Sequence, residues 1–306
     1  MRTKPSINTT YVYLAHKGSI IIIVFHLKSN ITAHNIIDIS PILWYNMMSN
    51  IGEGGEIVLR IESVSFDYET TGASVRVLAD ASLHVARSEV HALIGASGCG
   101  KSTLLRLAAG LLHPTAGTVL MDGAPVDPGH RRIGFLPQNY GLLPWKTVRE
   151  NILLGAEIKG RARESLADAL EELAAELGLT DLLRRYPREL SGGQQQRVGL
   201  ARVFLLAPDL LLMDEPFSAL DAITRESMQE VFLSLWQKRA VTTLLVTHYV
   251  DEALALASRV SVMGGRPGSI IETIAHPFAD DLTRRTSREF FEMGRLLRAK
   301  IAEAGA

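Results

Sequence analysis

Cysteine is almost absent from this chain of 306 residues: Cys99 is the only one. That excludes an internal disulfide and any zinc site built on four thiolates. A long apolar run is missing too. Near the start the longest uninterrupted stretch is Ile20 to Phe25, six residues, against the roughly twenty needed to cross a bilayer. Neither sign of charge dominates, with 32 basic and 33 acidic residues, so the broad basic surface of a general nucleic-acid binder is not expected. Aromatic residues are scarce at 6%, yet apolar residues reach 47%, enough for a sizeable core. The length allows one large domain or two modest ones, and a reducing cytoplasm suits the lone thiol.

The composition breaks sharply near residue 46. Residues 1–46 hold ten of the 22 isoleucines, four asparagines and three tyrosines, but only Arg2 and two alanines. They carry +3, from Arg2, Lys4, Lys17 and Lys28 against Asp38, so the rest carries −4 to reach the total of −1. A secretory signal is a poor fit, because Ser19–Leu27 contains His26 and no small-residue cleavage site follows. An interfacial anchor lacks a clean amphipathic period. Translated upstream sequence ahead of a start at Met47 or Met48 fits the compositional break best. Residues 1–55 are therefore expected to be a disordered or mis-assigned extension.

From residue 57 the pattern becomes orderly. Ile57, Leu59, Ile61, Val64 and Phe66 nearly alternate and predict one or two edge strands, with a turn over 69–76. Val90–Ile94 is a short apolar strand, Ser102–Leu112 a helix, and Thr118–Met121 and Ile133–Leu136 further strands. Between Val148 and Leu183 the period changes: Leu166, Leu170, Leu173 and Leu177 recur as one face of a helix. Strand and helix alternate again from Asp209, which argues a mostly parallel sheet interrupted by a helical insert. Arg288–Ala304 predicts a last helix, free to pack on its own domain or on a partner. The basic clusters Arg184-Arg185-Arg188 and Arg284-Arg285-Arg288 are expected to be solvated faces.

Three clusters carry chemistry. Gly95-Ala96-Ser97-Gly98-Cys99-Gly100-Lys101-Ser102, followed by Thr103, fits G-x-x-x-x-G-K-[ST] between a strand and a helix. Its glycines let successive N–H groups face phosphate oxygens, and the helix adds its positive end. Lys101 can reach the outer phosphates and the Ser102 hydroxyl can hold Mg²⁺. Cys99 reads as a small filler in that loop, with a reactive thiol as the alternative. Second, the strand Leu210–Met213 ends in Asp214-Glu215-Pro216. Asp214 is placed to hold Mg²⁺ and Glu215 to polarise an attacking water. Third, Leu190-Ser191-Gly192-Gly193-Gln194 opens an apolar helix, with Ser191 a good cap.

With these three segments in place, the chain resembles the nucleotide-binding subunit of ATP-binding cassette (ABC) transporters over roughly Ile57 to Ala275. The resemblance implies an α/β P-loop NTPase: a RecA-like core, an antiparallel β subdomain and a helical subdomain at about 145–205. The cassette spans 56–280 and a helical tail 281–306. It further implies that Tyr68 stacks on adenine, Gln138 touches Mg²⁺ and the attacking water, and His248 holds the γ-phosphate. Ser191, Gly192, Gly193, Gln194 and Asp221 would serve a second ATP-binding subunit paired head to tail. Tyr249, where the family commonly has Asp, is a departure that bears on turnover. ATP and Mg²⁺ are the implied cofactors. Gln138–Trp145, Glu215–Ala222 and Gly265-Arg266-Pro267-Gly268 resemble the nitrate/sulfonate/taurine importer subfamily. That implies permease subunits, with Leu142, Leu143 and Trp145 facing them unless they are core, and indirectly a solute-binding protein. The place implied is the cytoplasmic face of the inner membrane. A soluble ABC ATPase acting on nucleic acid or ribosomes fits less well, since such proteins carry two cassettes or long coiled-coil inserts. A P-loop kinase or GTPase would not need the 190–197 segment.

Overall fold

The computed structural model describes residues 8–16, 19–27, 56–70, 72–276 and 285–305. The chain divides into two units, Met1–Trp44 and Tyr45–Ala306. In the first, β1 (Asn8–His16) and β2 (Ser19–Leu27) pair antiparallel as a hairpin, with His16 opposite Ser19. This hairpin falls within residues 1–55, expected to be a disordered or mis-assigned extension. The other residues of that extension lie outside the described ones.

The second unit opens with an antiparallel sheet of four strands. β3 (Ile57–Thr70) pairs with β4 (Ala73–Ala86) on one side and β6 (Ala116–Met121) on the other, and β6 pairs with the two-residue β7 (Ala124–Pro125). The expected edge strand is therefore an inner one. The expected turn at 69–76 shrinks to the link between Thr70 and Ala73, because Asp67 and Arg76 face each other across the ladder and their side chains pair at 2.9 Å. A cross-strand ion pair extends a ladder through residues whose polarity suggests a loop.

The main sheet has six strands in the order β12-β11-β5-β10-β9-β8. These are β5 (Val90–Gly95), β8 (Ile133–Leu136), β9 (Leu210–Asp214), β10 (Thr242–Thr247), β11 (Arg259–Gly264) and β12 (Ser269–Ala275). All neighbours run parallel except β11 and β12. The inner strands are apolar without alternation because both faces are covered. Ala92 and Ile94, Leu211 and Met213, and Leu245 join the cluster beneath the helices. Their neighbours Leu93, Leu210, Leu212, Leu244 and Val246 join a second cluster with the antiparallel sheet. The two-residue period of a strand thus divides one apolar run between two cores.

Helix α1 (Lys101–Ala108) follows β5. Between β8 and β9 the chain is helical: α2 (Val148–Ile158), α3 (Ala167–Glu176) and α4 (Gly192–Leu205), joined by short 3₁₀ turns. Thr147 caps α2 through a capping box with Glu150. After β9 come α5 (Ala222–Arg239) and α6 (Val250–Leu256), and α7 (Arg288–Gly305) closes the chain. The last helix packs on its own domain: Phe290, Met293 and Leu297 are buried in the main cluster, and Gly265 N–H donates to Ala304 O at 3.0 Å.

Candidate functional site

The register of the parallel sheet builds the site. Thr247 stands opposite Ile94 and Val246 opposite Asp214, so the carboxyl ends of β5, β10 and β9 lie side by side. Ligands in open α/β sheets bind at such ends. The three segments singled out from the sequence here (the loop after Ile94, Asp214-Glu215 and His248) emerge together.

At the end of β5 the chain curls through 95–102 into α1. Two glycines are required here by space, and the second by conformation as well. A Cβ on Gly95 would lie 2.1 Å from Met263 O, and Gly100, at φ +103°, would press a Cβ to 2.7 Å of Leu78 Cδ2. The Lys101 ammonium is buried and donates to Gly95 O and Ala96 O, each at 2.9 Å. The cation is thus held by the loop it closes. Cys99 is 4% exposed and belongs to the second apolar cluster. It is the filler of the two readings.

Ser102, in the first turn of α1, donates from Oγ to Asp214 Oδ1 at 2.9 Å. Burial raises the Asp214 carboxyl above its usual range, the Ser102 hydrogen bond opposes this, and the Glu215 charge adds to it. Two hard oxygen donors side by side, one of them a half-buried carboxylate, form the donor set that Mg²⁺ favours. A divalent cation would also relieve the cost of that buried charge.

Glu215 sits just past β9 in a left-handed conformation (φ 46°) while its N–H donates to Val246 O at 2.9 Å. This unusual backbone swings the carboxylate toward β10, where Oε2 lies 3.0 Å from His248 Nδ1. A non-glycine residue at positive φ costs free energy and persists where its surroundings enforce it. Gln138, exposed after β8, donates from Nε2 to Ser218 Oγ at 3.3 Å, and Ser218 donates to Glu215 O at 2.9 Å. The hydroxyl of Ser218 therefore ties Gln138 to the backbone of Glu215.

The other predicted residues lie further out. Ser191 caps α4: its Oγ accepts from Gln194 N–H and its own N–H donates to Gln194 Oε1. This segment contacts the stretch after Glu215: a Cβ on Gly193 would approach Thr224 Cγ2 to 3.2 Å, and Gln196 donates to Pro216 O. Among the described residues no hydrogen bond joins 191–194 to the loop 95–103. Asp221 caps α5 by accepting from Thr224 N–H, and the Thr224 contacts hold its carboxyl below the usual range. Tyr68 lies near the end of β3, edge-on to Phe66 at 4.8 Å. Trp145 is 71% exposed, whereas Leu142 is partly buried against the main cluster.

Two residues matter more than the sequence reading allowed. Arg225 belongs to none of the three sequence clusters, yet its guanidinium donates to Phe217 O and Leu220 O at 3.3 and 2.9 Å. It also stands 4.1 Å from the centre of the Tyr249 ring, which in turn lies 4.0 Å from the His248 ring. Arg225 thereby joins the loop before α5 to the residue beside His248. The available signal was its spacing, four residues beyond Asp221 on the first turn of a helix. The second, Gly268, presses on the phosphate-facing loop from behind: a Cβ there would fall 1.9 Å from Cys99 O. Arg285, expected in a solvated cluster, instead donates to Gln229 Oε1 at 2.6 Å; Arg284 lies outside the described residues.

Several known proteins resemble this chain. A family model described as "ABC transporter" matches residues 78–218. An uncharacterized ABC transporter ATP-binding protein of Methanocaldococcus jannaschii is 43% identical over 241 residues, 78% of this chain and 88% of that protein. The taurine import ATP-binding protein TauB of Pseudomonas aeruginosa (strain UCBPP-PA14) is 40% identical over 250 residues, 80% of this chain and 95% of that one. Among solved structures, a dimeric bacterial ABC transporter cassette superposes with a TM-score of 0.63 at 28% identity, covering 71% of this chain and 98% of that one. A dimeric post-hydrolysis state of an ATP-binding cassette bound to ADP and Pi gives 0.63 at 27% identity, covering 71% and 98%.

Proposed function

The chain belongs to the ATP-binding proteins of ABC transporters, and on that premise we propose that it hydrolyses ATP to drive import of a small organic anion of the taurine kind. The observation that carries the chemistry is the 3.0 Å contact between Glu215 and His248 beside the Ser102–Asp214 pair. The substrate class is supported by the TauB relatives, which are named for taurine import.

The residues divide the work. Backbone N–H groups of 95–103 and the Lys101 ammonium receive the phosphates, and Tyr68 offers its ring to the base. Ser102, Asp214 and Gln138 would hold Mg²⁺, which supplies charge neutralisation at the phosphates when bound. Glu215 accepts the proton of the attacking water. His248 orients that carboxylate through Nδ1 and leaves Nε2 to face the γ-phosphate. Ser191, Gly192, Gly193, Gln194 and Asp221, with no bond to this chain's own loop among the described residues, are free to complete the site of a second cassette paired head to tail. The dimeric relatives support that pairing.

Among the described residues no helix is long and apolar enough to cross a membrane. The membrane-spanning part of the importer is then supplied by permease chains, and this subunit lies peripherally on the cytoplasmic face. The exposed Trp145, next to the helical insert, is the candidate contact for a permease helix.

The test is purification of the native complex, identification of co-purifying permease chains, and ATPase assays with candidate anions delivered by a solute-binding protein. Taurine-type anions should stimulate turnover. Glu215→Gln should lower the hydrolysis rate by about 10²-fold or more while ATP binding persists and the dimer is trapped. Undiminished turnover in that variant would refute the role of Glu215, and a complex without permease would refute import.

A further inference from the structure

Helices α5, α6 and α7 line an open cavity of about 420 Å³ beside the strand-end site. Its polar groups are unevenly satisfied. Arg298 closes an ion pair with Asp251 at 2.7 Å, and Glu226 stands exposed at the rim. Arg285 donates from Nη2 to Gln229, but its buried Nε–H has no partner among the described residues. Glu252 is 2% exposed, and among the described residues neither carboxylate oxygen has a well-formed hydrogen bond; Thr247 and Gln229 lie close enough only to favour its charged form weakly. Burial pushes its carboxyl up to about 8, so near neutral pH it carries a proton it can donate. With Glu252 neutral, Arg225, Arg285 and Arg298 outnumber Asp251 and Glu226.

A buried polar group without a partner is costly, and here two of them, both able to donate, line one cavity. The remaining wall is aromatic: Phe290 is buried and Phe291 is 60% exposed. We infer that this cavity is a binding site for a small organic oxyanion, a carboxylate or sulfonate head on a short apolar tail. The head accepts from Arg285 Nε–H and the Glu252 carboxyl, and the tail lies on Phe291.

Occupancy has a route to the reaction. Arg225 and Tyr249 line the same cavity. Arg225 holds the carbonyls of Phe217 and Leu220, and Tyr249 stacks on His248. An anion in the cavity draws the Arg225 guanidinium away from those carbonyls, loosens 217–221 and slows hydrolysis. This effect on turnover rests on the ATPase reading above, whereas binding does not, so the two are measured separately.

Calorimetric titration of the full chain with butanesulfonate and with butyrate should show one site for either anion, and none for butylammonium or butanol. Arg285→Gln should weaken binding at least tenfold, Arg285→Lys partly restore it, and Glu252→Gln, still neutral and hydrogen-bonding, retain it. Phe291→Ala, at an exposed position that leaves folding undisturbed, should weaken butanesulfonate more than methanesulfonate. ATP binding by each variant verifies the fold. Saturating butanesulfonate should reduce ATP turnover of the unaltered chain and spare that of Arg285→Gln. No heat with either anion, equal binding of butylammonium, or full binding by Arg285→Gln overturns the site. Binding with unchanged turnover overturns the coupling. A chain that binds the anion yet shows no ATPase activity with its partners keeps the site and sinks the ATPase reading.

Discussion

Glu252 lies one helical turn beyond His248, and its burial makes a prediction at the scale of one side chain. Its folded pKa, about 8, stands above the unstructured value of 4.5. Below pH 4.5 both states carry the proton and nothing is lost. As pH rises from 4.5 toward 8 the unfolded chain ionises while the folded one does not, so stability falls by an amount of the order of several kcal/mol at the upper end. Glu252→Gln keeps the shape and removes the titration. Its denaturant midpoint should therefore exceed that of the unaltered chain by a margin that grows from pH 5 to pH 8. His91, buried and held near 3, loses stability in the opposite direction as pH falls below 6.5, but it is present in both proteins and cancels. Parallel pH curves for the two proteins would show that Glu252 ionises freely in the fold. No local pattern betrays such a residue. In sequence Asp251-Glu252 reads as ordinary acidic punctuation at a helix start, and only packing of α5 and α7 against it reveals the burial. Lys101, Glu215 and His248 were legible because each ends or follows an apolar strand in a fixed spacing. Arg225 was not, since its partners are backbone carbonyls that any sequence supplies.

Elements carry the next step, because the phosphate-facing loop depends on a neighbour more than 160 residues away. The turn between β11 and β12 runs Gly265-Arg266-Pro267-Gly268. From it Gly268 donates to Val77 O at 2.8 Å and accepts from Ala79 N–H at 3.0 Å, joining β4 to the main sheet. Gly268→Ala would place a methyl 1.9 Å from Cys99 O and 2.8 Å from Met263 Cε. Neither backbone can yield without moving the loop. The expected cost is about 1–3 kcal/mol of stability, with ATP affinity reduced about tenfold or more as the N–H groups shift. Gly155→Ala in α2, where the nearest such atom is 4.0 Å away, should be neutral or slightly stabilising. Thermal denaturation and ATP titration of both variants check this; a Gly268→Ala protein with unaltered ATP affinity would mean that the turn does not shape the loop. The sequence showed glycines at both places, but not that one braces the other. Periodicity likewise located β5, β8, β9 and β10, whose apolar runs are short and bounded. It misjudged β3 as an edge and overlooked β4 and β12 as strands, because their exposed polar residues satisfy a ladder only once the partner strand is known.

For the whole molecule, the compositional break that falls near residue 46 and the structural division between Trp44 and Tyr45 nearly coincide. Every residue assigned to nucleotide chemistry lies at Tyr68 or beyond, and the two apolar clusters that support those residues begin at Val58. The hairpin of β1 and β2 satisfies its own backbone ladder, Asn8 opposite Leu27 through His16 opposite Ser19. The −4 carried after residue 46 belongs to the cassette, and the +3 before it to a segment with no assigned chemistry. Removal of residues 1–46 should then leave the thermal midpoint, ATP affinity, hydrolysis rate and assembly with permease chains unchanged. Side-by-side assays of the full and shortened proteins decide the matter. A shortened protein that hydrolyses ATP normally but fails to retain permease would assign the first unit a role in assembly, and one that loses stability would make it part of the cassette.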